Sequence, residues 1–346
     1  MRTFVYTLFL LSMLLISSCT SMLYTSIDVL RPAKVSFDKE ASNLLILNNS
    51  ITQPATFGHV NELYGETKKN VSINTDSLAI FCLSVVNEEF QKNDFFQNSQ
   101  LHLPSVNIGS GFFNTSEPQS DTLRFMSQLY NADAILSLDR IKVGDRIADY
   151  YNYEGNYFYA LLEANYETTW SVSYPKHNKT QSYTFKDTIY WDAESYQRKN
   201  ALKELPDRYN ALIDGALYVG QSTMKKLVPW WDKEERYFFS SNNKVIKLGL
   251  DSVYTKNWNA AISIWEKGLT KVKLATQAKL LHNISIAYEI SGNMPKAIEA
   301  VTKSLKVYEA ASVIDYNHYF TISQYKNQLE KRSKEIQIIN RQLGVE

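Results

Sequence analysis

Phe158-Tyr159-Ala160-Leu161-Leu162-Glu163-Ala164-Asn165-Tyr166-Glu167-Thr168-Thr169-Trp170-Ser171-Val172-Ser173-Tyr174 alternates in character with a period of two. The even positions are Phe, Ala, Leu, Ala, Tyr, Thr, Trp, Val and Tyr, and most odd positions from Glu163 onward are polar. Successive side chains of a strand point to opposite faces, so this run predicts one long strand with a single face on a core. Pro175-Lys176-His177-Asn178-Lys179 reads as a turn, and Thr180–Trp191 returns with Tyr183, Phe185, Ile189 and Trp191 on one face. Together they predict an antiparallel hairpin.

Upstream, strand and helix signals alternate. Leu44-Leu45-Ile46-Leu47, bounded by Asn43 and Asn48, predicts a short buried strand. Residues 76–92 carry Leu78, Phe81, Cys82, Val85, Val86 and Phe90 at helical spacing. Val106-Asn107-Ile108 reads as a strand, 121–130 as a helix capped by Ser120, and 131–138 as the approach to another strand. Downstream of the hairpin, Pro206 at an N1-like position opens a helix that Pro229 stops.

The C-terminal third is helical throughout. Ala261, Ile262, Trp265 and Leu269 recur as Ala297, Ile298, Val301 and Leu305 at a constant offset of 36, while Tyr254 and Tyr288 are 34 apart. Tyr288, Gly292 and Ala297 resemble the tetratricopeptide pattern, in which the Tyr and Ala pack one helix against the next. That resemblance implies repeat-packing roles for Tyr254, Ala261, Trp265, Tyr288, Gly292 and Ala297. It also implies an inter-helix turn two residues shorter in the first copy. Ser285 and Ser304 stand where the repeat family has small residues, and residues 315–343 supply a charged capping helix.

The fold class is therefore α+β: an α/β sandwich module with a mixed sheet and a long antiparallel hairpin, followed by an all-α, tetratricopeptide-like helical repeat. The predicted divisions are a signal peptide at 1–18, a tether at 19–39, the α/β module at 40–240 and the repeats with their cap at 241–346. The α/β part, through its early strand, the helix from 76, Asn131-Ala132-Asp133-Ala134-Ile135-Leu136 and the hairpin, resembles TolB-N-terminal-like and curli-secretion-like lipoproteins. The whole chain is similar to uncharacterised cell-envelope lipoproteins of anaerobic bacteria.

The N-terminus carries an address. Arg2 precedes an apolar run from Phe4 to Ile16, too short for a spanning helix of about 20 residues, and the order is that of a secretory signal peptide. Ile16-Ser17-Ser18-Cys19 resembles the bacterial lipobox. The resemblance implies acylation of Cys19, with palmitate-type chains whose burial is worth about 0.8 kcal/mol per CH₂. Cys82, the other of two cysteines, then has no partner for an intrachain disulfide and reads as a core residue. Residue 20 is Thr rather than the Asp that resembles an inner-membrane retention signal, which points to an outer-membrane anchor facing the periplasm.

Thirty-seven basic and 36 acidic residues give a formal charge of +1, which gives no support for a general nucleic-acid binder or a polybasic membrane binder. Catalytic signatures such as G-x-S-x-G, a phosphate loop or H-E-x-x-H do not occur. The five His (59, 102, 177, 282, 318) have no ligand spacing, so neither metal nor cofactor is expected. Asp187, Asp192 and Glu194 flank Trp191, the only arrangement suggestive of glycan hydrolysis.

Two aromatic clusters stand out as candidate binding residues. Tyr150, Tyr151, Tyr153 and Tyr157 occupy a predicted loop of the composition used by adaptable contact surfaces. Trp230 and Trp231 open a predicted junction segment, where they either bind a ligand or seal the joint. The expected function is a non-enzymatic, membrane-tethered binding or scaffold protein for an envelope protein. An oligomeric assembly or secretion component and a glycan- or peptidoglycan-acting enzyme are the alternatives.

Overall fold

The computed structural model describes residues 22–345 except 64, 108–110, 115 and 312–314. Cys19 and residues 1–18, the expected signal peptide, lie outside the described residues. In chain order the elements are β1 (Met22–Arg31), β2 (Asn43–Asn48), β3 (His59–Leu63), β4 (Glu66–Lys69), α1 (Leu78–Asn93), β5 (Asn98–His102), α2 (Ser120–Tyr130), β6 (Ala134–Asn152), β7 (Tyr157–Tyr174) and β8 (Lys179–Ser195). There follow α3 (Arg198–Glu204), α4 (Arg208–Leu227), β9 (Trp230–Phe239), α5 (Lys244–Tyr254), α6 (Trp258–Gly268), α7 (Leu274–Ile290), α8 (Met294–Glu309) and α9 (Tyr316–Leu343). The described residues form two compact units, 33–229 with 342–344, and 22–32 with 230–341 and 345.

In the first unit a seven-stranded mixed sheet is built around β6. β7 runs antiparallel along nearly its whole length, and β8 continues the meander. On the opposite edge of β6, two short parallel strands lie end to end. β2 pairs with 134–138 and β3 with 145–148. β5 adds in parallel to β2, and β4 antiparallel to β3. Between β2 and β3 the edge of β6 has no strand partner, and side chains supply the bonds. The Gln53 amide donates to the Val143 carbonyl at 2.8 Å and accepts from its N–H at 2.9 Å, as a neighbouring strand would.

The period-two reading of β7 holds: Ala160, Leu162, Ala164, Tyr166, Thr168, Trp170, Val172 and Tyr174 are buried. They face α1 and α4 across a core that includes Leu44, Ile46, Leu83, Val86, Leu212 and Val219. α2 covers the other face through Leu123 and Met126 on Leu45, Leu47 and Ile135. This two-sided cover explains why β2 is apolar throughout. Tyr166 donates to the Leu212 carbonyl at 2.7 Å, and a Cβ on Gly215 would lie 2.4 Å from its Oη, so the glycine sets how closely α4 approaches β7. Cys82 is fully buried on α1, and burial pushes its thiol up to about 12, which suits a core residue rather than a nucleophile.

Several local expectations need correction. The edge strand is β5, not 106–108; Val106 and Asn107 lie outside any strand, and residue 108 is outside the described residues. Ser120 is the first helical residue of α2 and Gln119 the cap, with no side-chain hydrogen bond. Pro206 precedes the cap of α4, where Asp207 accepts from the Asn210 N–H. Within the expected tether, 22–31 is strand β1, and Val35 and Phe37 are buried in the α/β core.

In the second unit β1 and β9 form an antiparallel two-stranded ribbon, Met22 opposite Phe239 through Arg31 opposite Trp230. The segment 230–239 is thus a strand of the helical unit, not part of the α/β module. Phe238 and Phe239 pack into the core of α5–α9, with Ile246, Trp265, Ile284 and Tyr325. α5–α6 and α7–α8 are two helical hairpins, followed by α9.

The offset of 36 runs through both hairpins, including their turns. Asn257 and Asn293 cap α6 and α8, accepting from the Ala260 and Lys296 N–H groups. Lys256 and Gly292, one residue earlier, both have positive φ, 56° and 82°. The turns are therefore equal in length, and the predicted two-residue difference is wrong. Tyr254 consequently does not match Tyr288, and it is 68% exposed. Ala261, Trp265 and Ala297 are fully buried. Half-buried Tyr288 donates to Glu266 at 2.9 Å.

Candidate functional site

The carboxylates around Trp191, on which the enzymatic alternative rests, are not brought together. Asp187 accepts from Ser222 at 2.9 Å and pairs with Lys226 at 2.6 Å on one face of β8, while Asp192 and Glu194 are exposed on the opposite parity of the strand. A buried His–Asp pair does exist, one that sequence spacing could not reveal. His59 Nδ1 bonds Asp145 Oδ1, and Arg208 Nε donates to Asp145 Oδ2 at 2.5 Å. Burial would raise the Asp145 carboxyl, but the hydrogen bonds from His59 and Arg208 hold it below the usual carboxylate value. His59 is completely buried, and its other nitrogen meets the Gln53 amide at 3.5 Å. The pair closes the β3–β6 seam instead of facing a substrate space.

The Tyr cluster is the tip of the β6–β7 hairpin rather than a separate loop. Tyr150 and Tyr151 pair in register with Tyr159 and Phe158, and only 153–156 form the turn. The Tyr150 and Tyr159 rings lie 5.0 Å apart, as do those of Tyr151 and Tyr153. Tyr153 is 83% exposed, whereas Tyr157 is half-buried and its hydroxyl accepts from Asn152 at 2.9 Å. Trp230 and Trp231 point to opposite faces of β9; Trp231 is exposed. Trp231 does not belong to the Tyr cluster but to a groove of its own.

That groove, about 730 Å³, lies wholly within the second unit. One wall is β1, every residue from Leu23 to Val29. Consecutive strand residues reach one groove only when the strand presents its edge as well as its side chains. Beside the groove the Leu30 carbonyl of β1 accepts from Arg332 of α9. The other walls are the two equivalent turns, with Tyr254, Lys256 and Trp258 from one and Gly292 and Met294 from the other, and Arg332 and Ile336 of α9. Tyr24 and Trp231 stand exposed at this ribbon. Glu289, which also lines the groove, is fixed from behind by Arg236 and Tyr325.

A second concavity belongs to the α/β unit. Asp139 is the first residue of β6 beyond its pairing with β2, at the one register break of the β6–β7 ladder. It is 2% exposed; Oδ1 accepts from Asn49 and Ser137, each at 2.9 Å. Burial, against those hydrogen bonds, pushes its carboxyl up to about 6. Among the described residues, no group of three or more His, Cys, Asp or Glu is placed to hold a metal. Likewise no helix there is long and apolar enough to cross a membrane.

The class is thus an α/β module joined in sequence to a helical-hairpin repeat. Residues 41–239 match a family model described as Domain of unknown function (DUF8603), more than half of the chain, and the protein belongs to that family. Residues 247–331 match a second, Domain of unknown function (DUF6340). No curated protein matches. Among solved structures, the lipoprotein GNA1162 from Neisseria meningitidis is 10% identical, with 53% of this chain and 98% of that chain covered and a TM-score of 0.19.

Proposed function

We propose that this protein is a lipid-anchored envelope protein, held through Cys19 at the outer membrane and facing the periplasm, that binds an extended segment of an envelope protein partner. In this reading it is a scaffold and not an enzyme. The observation that carries it is the groove walled by the β1 edge and the two repeat turns. An edge strand offers main-chain donors and acceptors at a fixed 6.6–7 Å repeat, which an added strand satisfies in the manner of β-augmentation. Tyr24, Trp231, Tyr254 and Trp258 supply large, rigid contact area at low entropic cost. The lining contains both Lys256 and Arg332 and both Asp28 and Glu289, so the groove suits a peptide of mixed rather than single charge. The anchor rests on the lipobox resemblance, and β1 begins three residues after Cys19. The non-enzymatic reading draws on the committed bonds of Asp187 and the sealed position of His59.

The test is site-specific photocrosslinking in cells, with the reactive side chain at Tyr24, Trp231 or, as a comparison, Tyr153. The expected result is one protein adduct common to the two groove positions and absent at Tyr153. It should be lost when Cys19→Ala releases the chain from the membrane fraction. Adducts at Tyr153 alone would sink the groove reading, and membrane retention of Cys19→Ala would sink the anchor.

A further inference from the structure

We propose that the pocket at Asp139 binds a free zwitterionic α-amino acid, its ammonium group held by Asp139 and Glu117 and its carboxylate by the N-terminus of α2. The pocket, about 470 Å³, opens at the carboxyl end of parallel strand β2, where β2 and β6 part company. In open α/β sheets that end is where connecting loops leave a crevice for ligands.

Three observations assign the chemistry. Asp139 Oδ2 is buried and makes no close hydrogen bond among the described residues, although Oδ1 has two and the Ser171 hydroxyl, likewise without a close partner, stands near enough to stabilise the carboxylate. A native fold rarely leaves a carboxylate oxygen so, because the unmet desolvation cost is large. Thr169 also lines the pocket, and its buried Oγ1 is equally without a partner. The bulge at Leu138/Arg140 is what turns Asp139 out of the ladder, and bulges re-aim side chains in this way.

The sign of the charge follows from the lining. Among the described residues it contains Asp139 and Glu117 but no Lys or Arg. Two carboxylates are too few for a metal cage, whereas an ammonium group needs three acceptors, which Asp139 Oδ2, a Glu117 oxygen and Thr169 Oγ1 provide. The opposite wall has the reverse polarity. Gln119 and Ser120 begin α2, and the cap side chain accepts no backbone bond. The first-turn N–H groups and the helix dipole there favour a carboxylate. One wall for a cation and one for an anion, in a small volume, match an amino acid better than a sugar, a nucleotide or a peptide chain.

The experiment uses the full chain in detergent, with each proteinogenic L-amino acid added singly and thermal unfolding as the readout, followed by calorimetric titration. At least one amino acid should stabilise the protein. N-acetylation and esterification of that amino acid should each weaken binding by about tenfold or more, a loss of about 1.4 kcal/mol. Asp139→Asn and Thr169→Val should weaken it similarly without unfolding the chain. The proposal is overturned if no amino acid binds, or if binding survives both variants undiminished. Because the pocket and the groove lie in different units, this outcome is independent of the crosslinking result.

Discussion

Arg236 on β9 grips Glu289 on α7 in a two-pronged pair, Nε to Oε2 and Nη2 to Oε1, both at 2.7 Å, with each side chain 4% exposed. Tyr325 of α9 adds a third bond to Oε2 at 2.8 Å. The three groups tie the ribbon, a repeat helix and the cap together immediately behind the groove. Glu289→Leu should therefore cost about 2–4 kcal/mol, because it leaves the buried guanidinium with only the half-buried Glu234, at 2.6 Å, as its carboxylate partner. Adding Arg236→Met should recover most of that loss, since an apolar pair of similar volume carries no desolvation cost. Urea unfolding of the two single variants and the double variant checks this; equal destabilisation in the single and double variants would refute it.

His282 makes the same unit acid-sensitive. Its ring is wholly buried, and burial pushes it down to about 3, far below the ordinary imidazole value of 6.5. Nε2 faces the Tyr237 carbonyl at 3.2 Å and so carries the proton, while Nδ1 has no partner. The unfolded chain takes up a proton near pH 6.5 and the folded one does not, so stability falls as pH drops below 6.5. Between about pH 6.5 and pH 5 the loss should be about 2 kcal/mol. His282→Gln should flatten that part of the stability profile, measured by denaturant titration at both pH values.

Asp139 produces the opposite slope. Its folded carboxyl titrates at about 6 against an ordinary 3.8, so the folded state binds the extra proton between those values. The contribution of this carboxyl to stability is most favourable below about pH 4, declines as pH rises to about 6, and stays low above it. Asp139→Asn should raise stability by about 2–3 kcal/mol near pH 7.5 and by little near pH 4. The amide can still accept from Asn49 and Ser137 through Oδ1. The prediction fails if the variant is less stable at both pH values. A gain in stability with loss of amino-acid binding would mark Asp139 as a residue kept for its ligand.

These features differ in how far the chain itself announces them. The long strand was readable because its period of two persists over many residues and is enriched in aromatic and β-branched types. The helical hairpins were readable because the same small and large residues recur at one offset. β5 was not: Asn98-Ser99-Gln100 has no strand propensity, and the edge of β2 imposes its conformation. β1 was missed although Leu23, Thr25, Ile27 and Val29 alternate with Tyr24, Ser26 and Asp28, because its partner β9 lies some two hundred residues away. Both concavities draw on distant segments, residues 116–120, 139, 169 and 182 in one and residues 23–29, 231, 253–258, 289–294 and 332–336 in the other. Local patterns carry no trace of such convergence.

The repeat offers the sharpest test of packing. Gly249 and Trp265 in the first hairpin occupy the positions of Ser285 and Val301 in the second, at the same offset of 36. A Cβ on Gly249 would lie 1.9 Å from Trp265 Nε1, so the glycine is what lets the indole fit and donate to the Ile246 carbonyl at 3.3 Å. In the second hairpin the smaller Val301 leaves room for Ser285, whose hydroxyl donates to the Ala297 carbonyl at 2.7 Å. Gly249→Ser alone should cost about 1–3 kcal/mol by overpacking. Trp265→Val alone should cost about 3–5 kcal/mol by leaving a cavity against Phe238. The double variant copies the second hairpin's solution into the first, and its loss should be smaller than the sum of the two by about 1 kcal/mol or more. A double-variant cycle by thermal unfolding that returns strict additivity would show that the two positions are not packed as a unit.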